Sequence, residues 1–433
     1  MLKNRFIKNT SWLIIGQVVR MALSFIVNIL IARYLGPEKN GIINYVSSYM
    51  AFFTSMVGLG LNGVIVYEFV NNREKEGEIL GTAIFLRFLA GIISLFLFLI
   101  IIFATDGNEK IIIQVALLQS IQLPLLCLDT FNYWYQADMS SKYPVIIQTI
   151  AYVLMTVYRV YLLFAKKSIV WFAFSVSLDI IVLGILYLFL YNRHKRQNLS
   201  CSFKYSKILF KNGLPFILAN IMLVIYGQID RIMIKHMMNS NAEVGLYSAT
   251  ITICSMIGFL PIAILDSARP LIAEAKKTDE KTYAMRFRQL IAGILWLCIL
   301  FSVFVTLFSE IIIYLIYGPE YSGASNCLKI VVWYTAFSYL GSAKNFWLIC
   351  EDKKKYVFIF SALGAGCNVI MNLIFIPFMG INGAAIATLL TQILSNFIIP
   401  VLFKETREYG IYVVDALLLR NIQLGNLFKM FRP

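Results

Sequence analysis

The chain has 433 residues, 59% of them hydrophobic and only 14% charged, with 38 Lys and Arg against 23 Asp and Glu. About a quarter of a soluble globular chain is charged, so a water-soluble fold of this length would lack the polar surface to cover itself. The net charge of +15 has no basic soluble module from which to grip nucleic acid, and the reading is an all-α polytopic membrane protein with no nucleic-acid partner.

A hydrocarbon core takes about 20 apolar residues per helix. In chain order such segments lie near 12–33, 41–66, 79–103, 111–131, 144–164 and 169–191. A second set follows near 213–235, 244–267, 288–316, 325–349, 356–378 and 381–403. Lys3, Arg5 and Lys8 precede the first run as they would in a secretory leader, but the run is too long for one and is expected to remain as a helix. The basic, polar stretch RHKRQNLSCSFKYSKILFKNG separates the two sets of six. The expected organisation is an N-terminal six-helix bundle (1–191), a basic cytoplasmic connector (192–212), a C-terminal six-helix bundle (213–403) and a basic amphipathic cytoplasmic tail (404–433). An even number of spans per half makes both halves enter the membrane in one direction, as in parallel repeats. With the N-terminus inside, 26 basic loop residues fall on the cytoplasmic side against eight outside, so both termini are expected in the cytoplasm. The tail, with Asp415, Arg420 and Lys429 interrupting its apolar residues, is expected to lie along the anionic inner leaflet.

Seven cysteines occur without a C-x-x-C pair, and the two histidines, His194 and His236, fall in connectors. No metal, cofactor or catalytic residue is therefore expected. Ionisable residues inside spans carry the functional signal, because they are expensive in hydrocarbon and persist where they face a bundle interior or a watery cavity. They are Arg20, Arg87, Arg159, Lys344, Asp129, Asp179, Asp230 and Asp266. Arg20 and Arg87 both sit on the order of 10 Å from the cytoplasmic ends of their helices at 1.5 Å per residue. Arg159 and Asp179 share a depth on adjacent antiparallel helices, which fits a buried ion pair; equally, Arg159 could serve a cationic cavity while Asp179 exchanges a proton. Asp230 and Arg231 lie towards the outer end of the seventh span, and Asp266 and Arg269 at the inner end of the eighth, as gate or headgroup contacts. Lys344 is expected to snorkel to the inner headgroups.

The opening NTSWLIIGQVVRMALSFIVNILIARYLGPEKNGIINYVSSY, and then GQIDRIMIKHMMNSNAEVGLYSAT, YGPEYSGAS and IPFMGINGAAIATLLTQIL, resemble bacterial polysaccharide repeat-unit flippases. These are the O-antigen, capsule and exopolysaccharide transporters of the multidrug/oligosaccharidyl-lipid/polysaccharide exporter superfamily. The resemblance runs along nearly the whole chain. It implies two six-helix bundles around a central cavity that opens alternately inward and outward in a bacterial cytoplasmic membrane. Its implied cargo is an undecaprenyl-diphosphate-linked oligosaccharide, with membrane lipids as surroundings and glycosyltransferases and a polysaccharide polymerase as candidate partners. Arg20, Arg87 and Arg159 are then the expected substrate-binding residues, since guanidinium groups match phosphate oxygens with forked hydrogen bonds. Asp179 and Asp230 are expected as coupling residues or structural ion-pair partners. Two alternatives share the fold: a cation-coupled multidrug or metabolite exporter, for which acidic rather than basic deep charges are expected, and a lipid-linked peptidoglycan precursor flippase, whose two further helices have no counterpart here. A membrane polymerase would need a sizeable outer loop, and none is present.

Overall fold

The computed structural model describes residues 2–140, 142–194 and 197–420, and of residues 2–19, Ala22 and Ala219 it describes the backbone only. Among them every regular element is helical. Lipid offers no water to an unpaired N–H or C=O, so a chain this apolar closes its backbone hydrogen bonds within each segment. In order the helices are α1 (Leu2–Gly58), α2 (Leu61–Asn71), α3 (Glu76–Asp106), α4 (Lys110–Ser120), α5 (Gln122–Leu125), α6 (Thr130–Ala137), α7 (Lys142–Phe164) and α8 (Ile169–His194). There follow α9 (Phe203–Met238), α10 (Asn241–Ser255), α11 (Phe259–Thr278), α12 (Glu280–Tyr317), α13 (Ala324–Val331), α14 (Tyr334–Cys350), α15 (Lys355–Ile393), α16 (Ile399–Leu402) and α17 (Arg407–Leu417).

Nine helical runs among the described residues are long and apolar enough to cross a membrane. Two of them, Leu23–Asn71 and Lys355–Leu402, are each interrupted by a glycine with positive φ, 71° at Gly36 and 57° at Gly380. At Gly380 the chain doubles back, for a Cβ on Gly383 would lie 2.2 Å from the Phe375 carbonyl oxygen. Residues 324–350 add the pair α13 and α14, so every expected segment has a helical counterpart. Many large apolar side chains are exposed, Phe96, Ile100, Leu307 and Leu315 among them, as suits a protein whose solvent is hydrocarbon.

The chain forms two units, residues 1–35 with 39–228 and residues 36–38 with 229–433. The boundary falls inside α9, not in the connector, and the reason is local. Gly77 and Gly81 stand one turn apart on α3, where a Cβ would lie 2.3 Å from the Asn198 carbonyl oxygen and 2.4 Å from that of Ser200. Their bare backbone lets the connector lie flush, held by Ser200 N–H to Gly77 O (3.2 Å), Ser202 N–H to Thr82 Oγ1 (2.9 Å) and Gly77 N–H to Gln197 Oε1 (2.9 Å). A break between α1 and α2, with Leu59 at φ 48° and Gly60 at φ 60°, receives α9 in the same way. A Cβ on Gly213 would stand 2.3 Å from the Leu59 carbonyl oxygen. The connector and α9 as far as Gln228 are thereby part of the first unit.

The first unit's core gathers Leu61, Phe69, Phe131, Trp134, Tyr187 and Tyr191. In the second, Phe287, Trp347, Phe360, Tyr409 and Tyr412 pack together. The last two come from α17, so the first part of the tail is docked on its own unit: Arg288 pairs with Asp415 at 2.8 Å, and Trp296 Nε1–H donates to the Ala416 carbonyl at 3.2 Å. Ile411, Val414 and Leu418 remain exposed on the opposite face. Residues 421–433 of the tail lie outside the described residues.

Candidate functional site

Polar side chains in this apolar chain collect in a few clusters, each within one unit. In the first unit Arg20 of α1, half-buried, donates from Nη1 to Gln148 Oε1 of α7. The Gln148 amide in turn donates to the hydroxyl of Tyr187 on α8 at 2.7 Å, and that tyrosine is fully buried. The buried phenol fixes the amide and the amide fixes one arm of the guanidinium. Arginine has five N–H donors; among the described residues Gln148 takes the one bond formed, so most of the fork is unspent.

Arg87 of α3 is placed differently. It is 5% exposed, and its donors go to Thr130 Oγ1 at 2.8 Å and to the Val57 carbonyl at 3.4 Å. That carbonyl ends α1 where the helix breaks, and so it lacks an N–H one turn on. The guanidinium lies 5.9 Å from the Tyr133 ring centroid, with the Asp129 carboxylate beside both. The two arginines share a depth in the sequence reading, but the structure spends the second on its own bundle. It brings Arg159 and Asp179 together at 3.3 Å. Arg159 also donates to Ser175 Oγ at 3.2 Å. That guanidinium too is committed to its neighbours.

In the second unit Asp230 of α9 is 4% exposed. It accepts from the Tyr247 hydroxyl (2.6 Å), the Thr388 hydroxyl (2.7 Å) and the Asn372 amide (2.6 Å). Asn368 lies one turn from Asn372 on α15 and accepts from it at 3.2 Å. Among the described residues the buried Asn372 Oδ1 and Asn368 Nδ2 atoms have no hydrogen-bond partner. Arg231 next in sequence donates to Ser248 Oγ at 2.9 Å. A carboxylate so enclosed by hydroxyl and amide groups is a place where a proton or small cation can be taken up and released. Asp266 and Arg269 form an exposed i, i+3 pair at 3.0 Å.

Lys344 corrects the sequence reading. Instead of reaching the headgroups it is 4% exposed, with Nζ donating to the Ser395 carbonyl (2.9 Å) and Asn396 Oδ1 (2.8 Å) and lying 5.1 Å from the Phe360 ring centroid. The carbonyl is available because residues Leu394–Ile398 form a π-helical turn, where the i→i−4 ladder is interrupted.

Sequence reasoning missed Gln148, Tyr187, Tyr247, Asn368, Asn372 and Thr388. Asn368 and Asn372 were legible in principle, since two amides four residues apart in an apolar run face the same way. The others are single polar residues whose partners come from distant segments.

These features define a polytopic helical membrane protein. The family described as polysaccharide biosynthesis protein matches residues 6–276, more than half of the chain, and the chain belongs to that family. The MatE family also matches residues 215–374. Among solved structures the chain is similar to the lipid II flippase MurJ in an inward closed conformation, with a TM-score of 0.74 at 15% identity, covering 94% of this chain and 90% of that one. It is similar too to an inward-facing multidrug resistance MATE family transporter of the MOP superfamily (TM-score 0.66, 14% identity, 94% and 96% covered). A MOP superfamily transporter from Pyrococcus furiosus matches with a TM-score of 0.57 at 12% identity, covering 98% and 96%. No curated protein matches at the sequence level. At such identities the shared property is the fold.

Proposed function

We propose that this protein is a flippase that carries an undecaprenyl-diphosphate-linked oligosaccharide from the cytoplasmic to the outer leaflet by alternating access, for polysaccharide biosynthesis. The observation that carries the reading is the family match over residues 6–276, joined to an arginine whose fork is oriented and, among the described residues, largely unspent. Arg20 is the residue we assign to the diphosphate: Gln148 and Tyr187 hold it, and its remaining N–H donors suit phosphate oxygens. Arg87 and Arg159 sit in supporting roles, each tied to its own bundle. We assign Asp230 to coupling. As a carboxylate it suits the three donors around it; once protonated it becomes a donor, for which the unpartnered Asn372 Oδ1 is the nearby acceptor.

The chemistry fits a non-enzyme, with glycosyltransferases and a polymerase as the expected neighbours in the membrane. The test is complementation of a strain lacking its repeat-unit flippase and making a matching glycan. Arg20→Gln should abolish surface glycan at wild-type membrane abundance, while Arg20→Lys, which keeps charge without the planar fork, should restore part of it. Full display from Arg20→Gln would sink the assignment. The resemblance to MurJ favours a second reading, a peptidoglycan precursor as cargo. Rescue of a strain depleted of that flippase, without rescue of glycan display, would select it.

A further inference from the structure

At the C-terminal end of α12, away from the basic end of that helix, the chain turns through Gly318 (φ 92°) into the short turn Pro319–Tyr321 and then α13. The turn leaves an open cavity of about 370 Å³ between the two helices, lined by Glu310, Tyr314, Gly318, Ser322, Ser325 and Asn326. That lies within the range of small-molecule pockets, about 300–1,000 Å³. Its walls follow from helical spacing: Glu310 and Tyr314 share one face of α12, with Gly318 capping that helix one turn on, while Ser325 and Asn326 come from the first turn of α13 and Ser322 from the turn before it. Glycine is required at 318 for its dihedrals, and a bulkier residue would also narrow the floor.

The lining side chains are held in place but little used. Glu310 pairs through Oε1 with Lys329 at 2.7 Å, its second oxygen taking no partner among the described residues, and Ser325 Oγ donates to the Ser322 carbonyl at 2.9 Å. Among the described residues the Tyr314 ring and hydroxyl, the Ser322 hydroxyl and the Asn326 amide make no hydrogen bond or ring contact. Tyr314 is 66% exposed. A bare aromatic face beside an amide, a hydroxyl and a carboxylate oxygen matches a ligand with one apolar C–H face and a rim of hydroxyls. The Lys329 charge offsets that of Glu310, so the cavity favours a neutral or N-acetylated ring over an acidic one.

We propose that this cavity is a saccharide-binding subsite at the outer end of α12 in the second unit, where a neutral or N-acetylated sugar ring of the cargo stacks on Tyr314 and hydrogen-bonds Asn326, Ser322 and Glu310. The placement rests on the flippase reading and on the inside-positive orientation; the chemistry of the site rests on its own residues. The experiment uses the full-length protein in lipid nanodiscs, with N-acetylglucosamine, glucose, glucuronic acid and the acyclic polyol mannitol as probes in saturation-transfer NMR. The two neutral rings should receive saturation at least fivefold above empty nanodiscs and above mannitol, with glucuronic acid the weakest of the rings. Tyr314→Ala and Asn326→Ala should each reduce that transfer at least threefold without moving the Tm, while Tyr314→Phe keeps most of it. Transfer equal to that of empty nanodiscs, or unchanged in both alanine variants, overturns the subsite. Since the readout is binding of free sugars, it stands or falls separately from complementation by Arg20 variants, which tests the flippase itself.

Discussion

Arg159 Nη2 and Asp179 Oδ2 lie 3.3 Å apart across α7 and α8, with side chains only 11% and 27% exposed. Removing either charge strands the other where water cannot replace it, whereas removing both leaves two neutral amides. Arg159→Gln or Asp179→Asn alone should cost about 2 kcal/mol, and the double variant should recover about 1 kcal/mol or more of the summed loss. Thermal melting of the four detergent-solubilised proteins gives the coupling directly. Strictly additive losses would mean that the pair contributes nothing as a pair.

Asp230 is predicted to be the most sensitive buried position of the second unit. Asp230→Asn turns an acceptor of three hydrogen bonds into a group that must also donate among the donors of Tyr247, Thr388 and Asn372. A loss of about 1–3 kcal/mol is expected, with transport falling further than stability explains. Thr388→Val deletes one donor and should cost less. A melting temperature equal to wild type in Asp230→Asn would contradict the network.

Gly81→Ala tests the seat of the connector. The added methyl would lie 2.4 Å from the Ser200 carbonyl oxygen and 2.8 Å from its nitrogen, and neither backbone atom can swing aside as a side chain would. Overpacking of this kind costs about 1–3 kcal/mol. Limited proteolysis should then cut faster between 197 and 202, while Gly63→Ala, where nothing lies within 4 Å, should behave as wild type. Equal cleavage rates in the two variants would show that the connector is not fastened there.

Asp279 caps α12 by accepting from Thr282 N–H at 2.9 Å and Lys281 N–H at 3.1 Å. Donation from the Thr282 hydroxyl and then from these two N–H groups holds its carboxyl below the usual 3.8. A depressed folded-state pKa contributes stability that is present above the unfolded value and lost as the pH falls through the folded one. Asp279→Ala should therefore lower the Tm at pH 7, and the gap to wild type should close as the pH drops below about 4. A gap independent of pH would mean that the cap does not depend on ionised Asp279.

The helices were legible because long apolar runs admit one backbone solution in lipid. Equal depth on neighbouring antiparallel helices made an Arg159–Asp179 pair one of two readings, and the structure brings the two side chains to 3.3 Å. Depth alone failed where a third segment decides. Arg20 and Arg87 look equivalent by position, yet a helix break at Leu59–Gly60 presents a carbonyl to one, and Gln148, over a hundred residues away, orients the other. Lys344 was misplaced for the same reason: distance from the helix end says nothing of what covers the side chain. The Asp230 cluster joins α9, α10 and α15, and no spacing within one segment announces it.

The π-helical turn over Leu394–Ile398 ties together two kinds of sequence change that are usually treated as unrelated. Such a turn carries one residue more than an α-helix needs over the same rise, so deleting Leu394 should restore a regular helix in which the Ile399 N–H, now bonded to the Leu394 carbonyl, takes up the Ser395 carbonyl instead; a deletion after Ser395 would set Pro400, which has no N–H, at that place. With Lys344 present, that deletion takes from an enclosed amine one of its two hydrogen-bond acceptors; with methionine at 344, it takes none. A deletion in one helix and a substitution in another are thus mutually permissive, and the order in which a lineage acquires them matters.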